Sequence, residues 1–287
     1  NDQSYHFDDL LVRQIFQSNQ INLSVQHPKN YPYHFDENQG IYSEGIIYND
    51  EIKEVSNSLV QYIQNEEYDR IGAMLLPLDG EFVFAIFSPS KDKLYVINDR
   101  WGRLPVYYST NTNGFIISRN ISCITNNTPT TFNKEELACS LLLGLNLGEH
   151  THWNEIKRMP PHSILVIDLK THAVDIQRYF ELNLVSGTAP MEDVVNKIGD
   201  QLELALENRL KKIPNPSLSL SGGLDSRLTL AVLKKINESG KKIESLEDYT
   251  ISEVPSDISF ENVVGQDSLT RFDKRKKKKK RKFSKRI

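Results

Sequence analysis

Ser221-Gly222-Gly223-Leu224-Asp225-Ser226 gathers two hydroxyls, two glycines and a carboxylate into six residues. Glycines without Cβ atoms let backbone N–H groups approach an anion closely. A following helix would add the positive end of its dipole, which together with free N–H groups makes a phosphate seat. Ser221 and Ser226 can donate hydroxyl hydrogen bonds to phosphate oxygens. Asp225 suits such a site when a phosphate-bound Mg²⁺ mediates, since Mg²⁺ takes carboxylate ligands alongside phosphates. The string lacks Gly-Lys-Ser/Thr and is therefore not a Walker A loop. The alternative is a helix cap after a glycine turn.

Other residues offer less. His150 and His152 flank Thr151, but no Cys, His or Asp nearby completes a four-ligand metal site, and a surface loop is the expectation. Arg100 and Arg103 suit either an anion or structural ion pairs in a turn. Cys123 and Cys139 are too few for a disulfide framework and read as packing residues. No catalytic residue is assigned.

The elements that must position these groups fall into two halves. Leu218 and Leu220 read as a short strand entering the glycine turn, and Leu228–Ile236 as the helix leaving it, stopped near Gly240. Before them, Val194, Val195, Ile198, Leu202, Ala205, Leu206 and Leu210 recur at helical spacing, giving about five turns. Pro214 and Pro216 end that helix. Helix, strand, glycine turn, helix is the opening of a nucleotide-binding α/β unit.

The first half reads as sheet. Glu81–Phe87 and Lys93–Ile97 flank a turn at Pro89–Asp92, and Val106–Ser109 pairs with Phe115–Ile117 across Asn111–Gly114. Two consecutive hairpins predict an antiparallel sheet across 75–120, and their unbroken apolar runs predict that both faces are covered. Ser163–Asp168 is a further strand. Helices are expected at Glu51–Gln64, with Ile52, Val55, Leu59, Val60 and Ile63 on one side, and at Lys134–Leu143 behind an Asn133 N-cap. The first forty residues read as loop and turn, punctuated by His27-Pro28, Tyr31-Pro32 and Asn38-Gln39-Gly40. Val185–Pro190 reads as a linker.

Four motifs in order resemble the glutamine-dependent asparagine synthetase family over roughly residues 40 to 238. Leu78-Asp79-Gly80-Glu81-Phe82-Val83-Phe84-Ala85-Ile86 resembles the glutaminase-core strand. Asn98-Asp99-Arg100-Trp101-Gly102-Arg103-Leu104-Pro105-Val106-Tyr107-Tyr108 resembles the Arg-Asp-Arg-Phe-Gly-x-x-Pro-Leu-Tyr-Tyr hallmark. Trp153–Pro161 with Arg178-Tyr179-Phe180 resembles the closing segment. Ser221–Ser226 resembles the PP-loop of ATP pyrophosphatases.

The resemblance implies an α+β chain in three parts. Residues 1–185 form an N-terminal αββα Ntn-type glutaminase-like sandwich, and 191–240 begin an incomplete α/β PP-loop ATP-pyrophosphatase domain. Residues 241–287 are a polar, Lys/Arg-rich tail, expected to be disordered. The implied activity is an asparagine synthase (glutamine-hydrolysing)-like ATP-dependent amide ligase, which activates a carboxylate, aspartate by resemblance, as its acyl-adenylate. The implied ATP residues are Leu220, Ser221, Gly222, Gly223, Asp225 and Ser226, with Asp225 also on Mg²⁺.

Departures accompany the motifs. Position 1 is Asn where the family has a nucleophilic Cys. Glu44-Gly45-Ile46-Ile47-Tyr48-Asn49 stands for Asn-Gly-Glu-Ile-Tyr-Asn, so Glu44 replaces an oxyanion-hole Asn, and a carboxylate there repels a developing oxyanion. The glutamine-gripping Ser-Asp-x-Glu-Val-Ile segment is not recognisable between Leu59 and Leu78. After Gly240 the family's later segments are missing, so the chain reads as incomplete and inactive alone. A non-catalytic amidotransferase scaffold that binds a partner is the alternative.

Composition sets the remaining bounds. The 287 residues carry a net charge of −3, but 11 of the 13 residues from Lys274 to Arg286 are Lys or Arg. Against the 24 other basic residues stand 38 acidic ones, leaving the rest at −14. The body is therefore a poor nucleic-acid binder, and the tail would bind polyanions without sequence preference. No apolar stretch is long enough for a membrane span. With no secretion signal the expected compartment is the cytoplasm.

Overall fold

The computed structural model describes residues 10–28, 31–182 and 187–238. The expected polar and Lys/Arg-rich tail, 241–287, lies wholly outside them, as does the start of the expected linker. The chain is mixed α and β, with antiparallel sheets.

The core is a six-stranded sheet. Its strands are β3 (Tyr33–Asp36), β4 (Ile41–Ile47), β5 (Gly80–Ser88), β6 (Lys93–Asn98), β10 (Ser163–Asp168) and β11 (Val174–Arg178), in the order β11-β10-β6-β5-β4-β3. Strand side chains alternate between faces, and here both faces are apolar. Phe82, Phe84 and Ile86 of β5, Tyr95 and Ile97 of β6, and Ile164 and Val166 of β10 meet α1 (Ile52–Gln64) and α2 (Tyr68–Leu75). The intervening residues Val83, Leu94, Val96, Leu165 and Ile167 pack on the opposite side with Val106, Tyr108 and Met159. That is the physical reason for the unbroken apolar runs.

The second side is closed by a three-stranded sheet of β7 (Tyr107–Asn111), β8 (Gly114–Ser118) and β9 (Lys157–Arg158), ordered β8-β7-β9. The two hairpins expected to share one sheet therefore belong to two. The segment between them, Asp99–Val106, carries the chain from one layer to the other. Two short helical segments follow the second hairpin: α3 (Ile121–Thr125), and α4 (Lys134–Leu143). Asn133 caps α4 by accepting from the Glu136 N–H at 3.0 Å.

The N-terminal segment corrects its reading as loop. β1 (Leu10–Gln17) and β2 (Asn22–Pro28) form an antiparallel hairpin, and β3 follows. Pro28 closes a strand there, and the turn lies at Ser18–Ile21, where the Ser18 N–H donates to the Ile21 carbonyl at 2.8 Å. Phe16 then packs its ring 6.0 Å from Phe35 and 5.8 Å from Phe87.

Beyond the body stand α5 (Met191–Lys212) and α6 (Leu224–Glu238). No residue of α5 is buried, and α6 buries Leu233 and Ile236. Residues 217–220 form no strand, contrary to the reading of Leu218 and Leu220. A strand needs neighbours to satisfy its backbone groups, and no strand of the described chain lies beside this one.

Candidate functional site

Glu44 lies in β4, opposite Val83 on one side and Tyr33 on the other. It is buried, and an unpaired buried carboxylate is costly. Its partner comes from the end of the second hairpin: the Arg119 guanidinium donates to its Oε1 at 2.6 Å. The Tyr42 hydroxyl donates to Oε2 at 2.7 Å, and Arg119 also reaches the Tyr31 hydroxyl at 3.2 Å. Burial, reinforced by the Glu44 charge, pushes the Tyr42 and Tyr31 hydroxyls up. Burial pulls Arg119 down, but Glu44 outweighs it and the guanidinium ends above its ordinary value. These residues form a neutralised cluster in which both Glu44 oxygens are satisfied, while the Arg119 Nε is buried without a hydrogen-bond partner.

Gly45 completes the picture. Its φ of +100° lies in the range that favours glycine, and a Cβ there would stand 2.0 Å from the Glu81 carbonyl oxygen. The glycine is thus required by the close approach of β4 to β5, whatever its chemistry. Its N–H donates to the Pro32 carbonyl at 3.0 Å and is not free to stabilise an oxyanion.

The Asn98–Tyr108 segment is a structural corner. Asp99 is buried and accepts from the N–H groups of Trp101 at 2.8 Å and Arg103 at 3.1 Å. Burial nevertheless raises its carboxyl above the usual range. Asn98 ties β6 to β10, accepting from the Ser163 N–H at 2.9 Å and donating to the Pro160 carbonyl at 2.7 Å. Tyr179 donates to the Asn98 carbonyl at 2.7 Å. Arg103 approaches Glu81 to 4.0 Å, and Arg100 lies 5.4 Å from the Phe180 ring. Arg103 has Glu81 and the Gly80 carbonyl as neighbours, while Arg100 lies against the Phe180 ring with its Nε buried and without a hydrogen-bond partner.

The Ser221–Ser226 turn has the opposite character. Gly222 adopts φ +78°, and a Cβ there would meet nothing within 4 Å. The Ser221 and Ser226 hydroxyls come within 3.3 Å of each other. The Gly223 N–H donates to Ser221 Oγ at 3.3 Å, and Ser226 Oγ reaches the Gly223 carbonyl at 3.2 Å. Asp225 stands in the first turn of α6, and Leu220, Gly222 and Gly223 are exposed. Two convergent hydroxyls at the open N-terminus of a fifteen-residue helix suit a phosphate. Asp225 is the one carboxylate within the turn. Among the described residues no three His, Cys, Asp or Glu side chains gather as a metal site.

His150 is exposed and His152 half-buried beside Trp153. Cys123 and Cys139 are free and half-buried, in α3 and α4. Among the described residues no helix is long and apolar enough to cross a membrane. The residues missed by sequence reasoning are Arg119, Tyr42 and Tyr31. The available signal was Glu44 itself, a charge in an otherwise apolar strand that required a basic partner.

Comparisons with known proteins agree with the family resemblance. Residues 36–180 match the model of the glutamine amidotransferase domain. A protein of Methanocaldococcus jannaschii with the provisional name glutamine-hydrolyzing asparagine synthetase 2 is 23% identical over 245 residues, covering 77% of this chain and 48% of its own length. The chain therefore spans about half the length of that curated relative. Among solved structures, the glutamine phosphoribosylpyrophosphate amidotransferase from B. subtilis, complexed with ADP and GMP, shares 13% identity over 56% of this chain and 35% of its own. The TM-score is 0.29, too low to carry an argument about fold.

Proposed function

Because that match covers half of its residues, the chain belongs to the glutamine amidotransferase domain family, and we propose that it serves an ATP-dependent amide ligase of the asparagine-synthetase type without itself releasing ammonia from glutamine. In this reading residues 1–185 are an αββα Ntn-type body, and 191–240 open a PP-loop domain that takes Mg²⁺·ATP. The support is the family match, the order of the four motifs, and the relative named as an asparagine synthetase. The single observation that carries the ATP half is the Ser221–Gly223 turn at the open N-terminus of α6, with both serine hydroxyls converging.

The residues divide the work. Gly222 and Gly223 leave room for phosphate oxygens beside the backbone. Ser221 and Ser226 would donate to those oxygens, the α6 N-terminus would balance their charge, and Asp225 would hold Mg²⁺. Leu220 sets the chain entering the turn. ATP would supply the adenylyl group: a carboxylate oxygen, of aspartate by resemblance, would bond to the α-phosphorus as the α–β phosphoanhydride breaks and pyrophosphate leaves, giving an acyl-adenylate. In the body, Glu44 and Gly45 occupy the positions of an oxyanion hole but have no free donor to offer.

The second reading, a non-catalytic amidotransferase scaffold that binds a partner, is favoured by the same Glu44–Arg119 closure. ATP binding separates the two. For the shared half of the claim, the purified chain should release no ammonia from glutamine above a buffer control, measured with an enzyme-coupled ammonia assay. Ammonia release that follows protein concentration would overturn it.

A further inference from the structure

α5 has no fully buried residue, and its apolar Leu202, Ala205, Leu206 and Leu210 are only half-buried, so apolar packing holds it weakly. Its last turn is instead charged. Arg209 makes a two-pronged contact with Asp79, Nη1 to Oδ2 at 2.8 Å and Nη2 to Oδ1 at 3.0 Å. Both side chains are about seven-tenths covered, at 27% and 30% exposure. The guanidinium also lies 4.3 Å from the Tyr48 ring centroid, and Tyr48 is fixed by donating to Glu81 at 2.9 Å. One turn on, Lys212 pairs with Glu51 and donates to the Asp50 carbonyl.

The receiving surface is rigid. Asp79 sits immediately before β5, and its N–H donates to Asn49 Oδ1 at 2.8 Å while Asn49 Nδ2 donates to the Pro77 carbonyl at 2.9 Å. A planar fork matched to a carboxylate and stacked on an aromatic face is arginine chemistry that lysine reproduces poorly. The far end of the hairpin is tied internally, with Lys235 donating to Glu203 at 2.6 Å between α6 and α5.

We propose that Arg209 on Asp79 and Tyr48 is an electrostatic latch that holds the α5–α6 hairpin, and with it the Ser221–Ser226 turn, against the body, and that salt or loss of either charge releases it while the body stays folded. Ordinary apolar docking would be insensitive to salt. A latch of this kind weakens as screening rises, partly resisted by its burial. The proposal does not depend on what the turn binds.

Hydrogen–deuterium exchange of the full chain, followed by mass spectrometry, tests it. Arg209→Ala and Asp79→Asn should each speed exchange across residues 191–212 by about tenfold, the scale of a two-pronged charged hydrogen bond with a cation–π contact. Arg209→Lys should fall between wild type and Arg209→Ala. Raising NaCl from about 0.05 M to about 0.5 M should speed 191–212 in the wild type, and by less in Arg209→Ala, which keeps only the Lys212–Glu51 pair to the body. Peptides of β5 and β6 should keep wild-type protection throughout. The latch is overturned if either single variant leaves 191–212 as protected as wild type, or if β5 and β6 lose protection to the same degree.

Discussion

The Glu44–Gly45 cluster and the Ser221–Ser226 turn are opposites. At the first, each named group is spent inside the fold: the carboxylate on Arg119 and Tyr42, the glycine N–H on Pro32. At the second, two hydroxyls and a helix N-terminus face solvent, their contacts being weak ones among themselves. A site that must receive a ligand keeps donors that folding leaves uncommitted. A site whose donors are committed has become structure. The contrast follows the packing, since β4 lies inside a sheet covered on both faces while α5 and α6 bury only Leu233 and Ile236.

Substitutions can break that contrast at several points. The largest effect is expected in the body's core: Phe84→Ala, at a fully buried ring, should cost about 3–5 kcal/mol in urea unfolding. On the other side of the comparison, Leu228→Ala at an exposed position of α6 should stay within about 0.5 kcal/mol. An equal loss at both would erase the distinction between the two regions.

Arg119→Ala should cost somewhat less than Phe84→Ala, about 2–4 kcal/mol, because it removes a partly exposed cation and strands the buried Glu44 carboxylate. Adding Glu44→Gln to it should recover much of that loss, since removing both charges is milder than removing one. If Arg119→Ala melts like wild type, the cluster is not the closed structural unit described.

A smaller effect belongs to Asp99, whose carboxyl is raised by burial despite its two N–H donors. A folded value above the unfolded one means the folded state binds the proton more readily. The associated stability is therefore present below the ordinary carboxylate range and is lost as pH rises through the folded value. Against Asp99→Asn, which does not titrate, wild type should lose stability as pH rises from the ordinary carboxylate range, about 4, through the raised folded value. Parallel unfolding curves across that range would contradict the assignment.

Much of this was legible in the sequence where a pattern had one physical cause. Helix α1 and its buried Val55, Leu59, Val60 and Ile63 follow from spacing, and the Asn133 cap on α4 from residue type. The unbroken runs of β5 and β6 correctly indicated two covered faces. The β1–β2 hairpin was missed because proline and histidine read as loop punctuation when they sat at a strand's end. The division of two hairpins between two sheets was not legible, because pairing across layers depends on residues distant in sequence. For the candidate sites, glycine spacing marked Ser221–Ser226 directly. Arg119 lies 75 positions from Glu44 and Arg209 130 positions from Asp79, so those pairs became visible only in three dimensions.

The central proposal is that this amidotransferase-family chain takes a nucleotide at the open Ser221–Ser226 turn, while the Glu44–Gly45 cluster is closed structure. Isothermal titration of Mg²⁺·ATP into the full chain, with the Ser221→Ala/Ser226→Ala double variant in parallel, tests it most directly. The account predicts saturable heat with wild type and affinity reduced about tenfold or more in the double variant, the scale of two lost hydrogen bonds to a charged ligand. Wild type that takes up no Mg²⁺·ATP, or a double variant that binds as tightly as wild type, would contradict it.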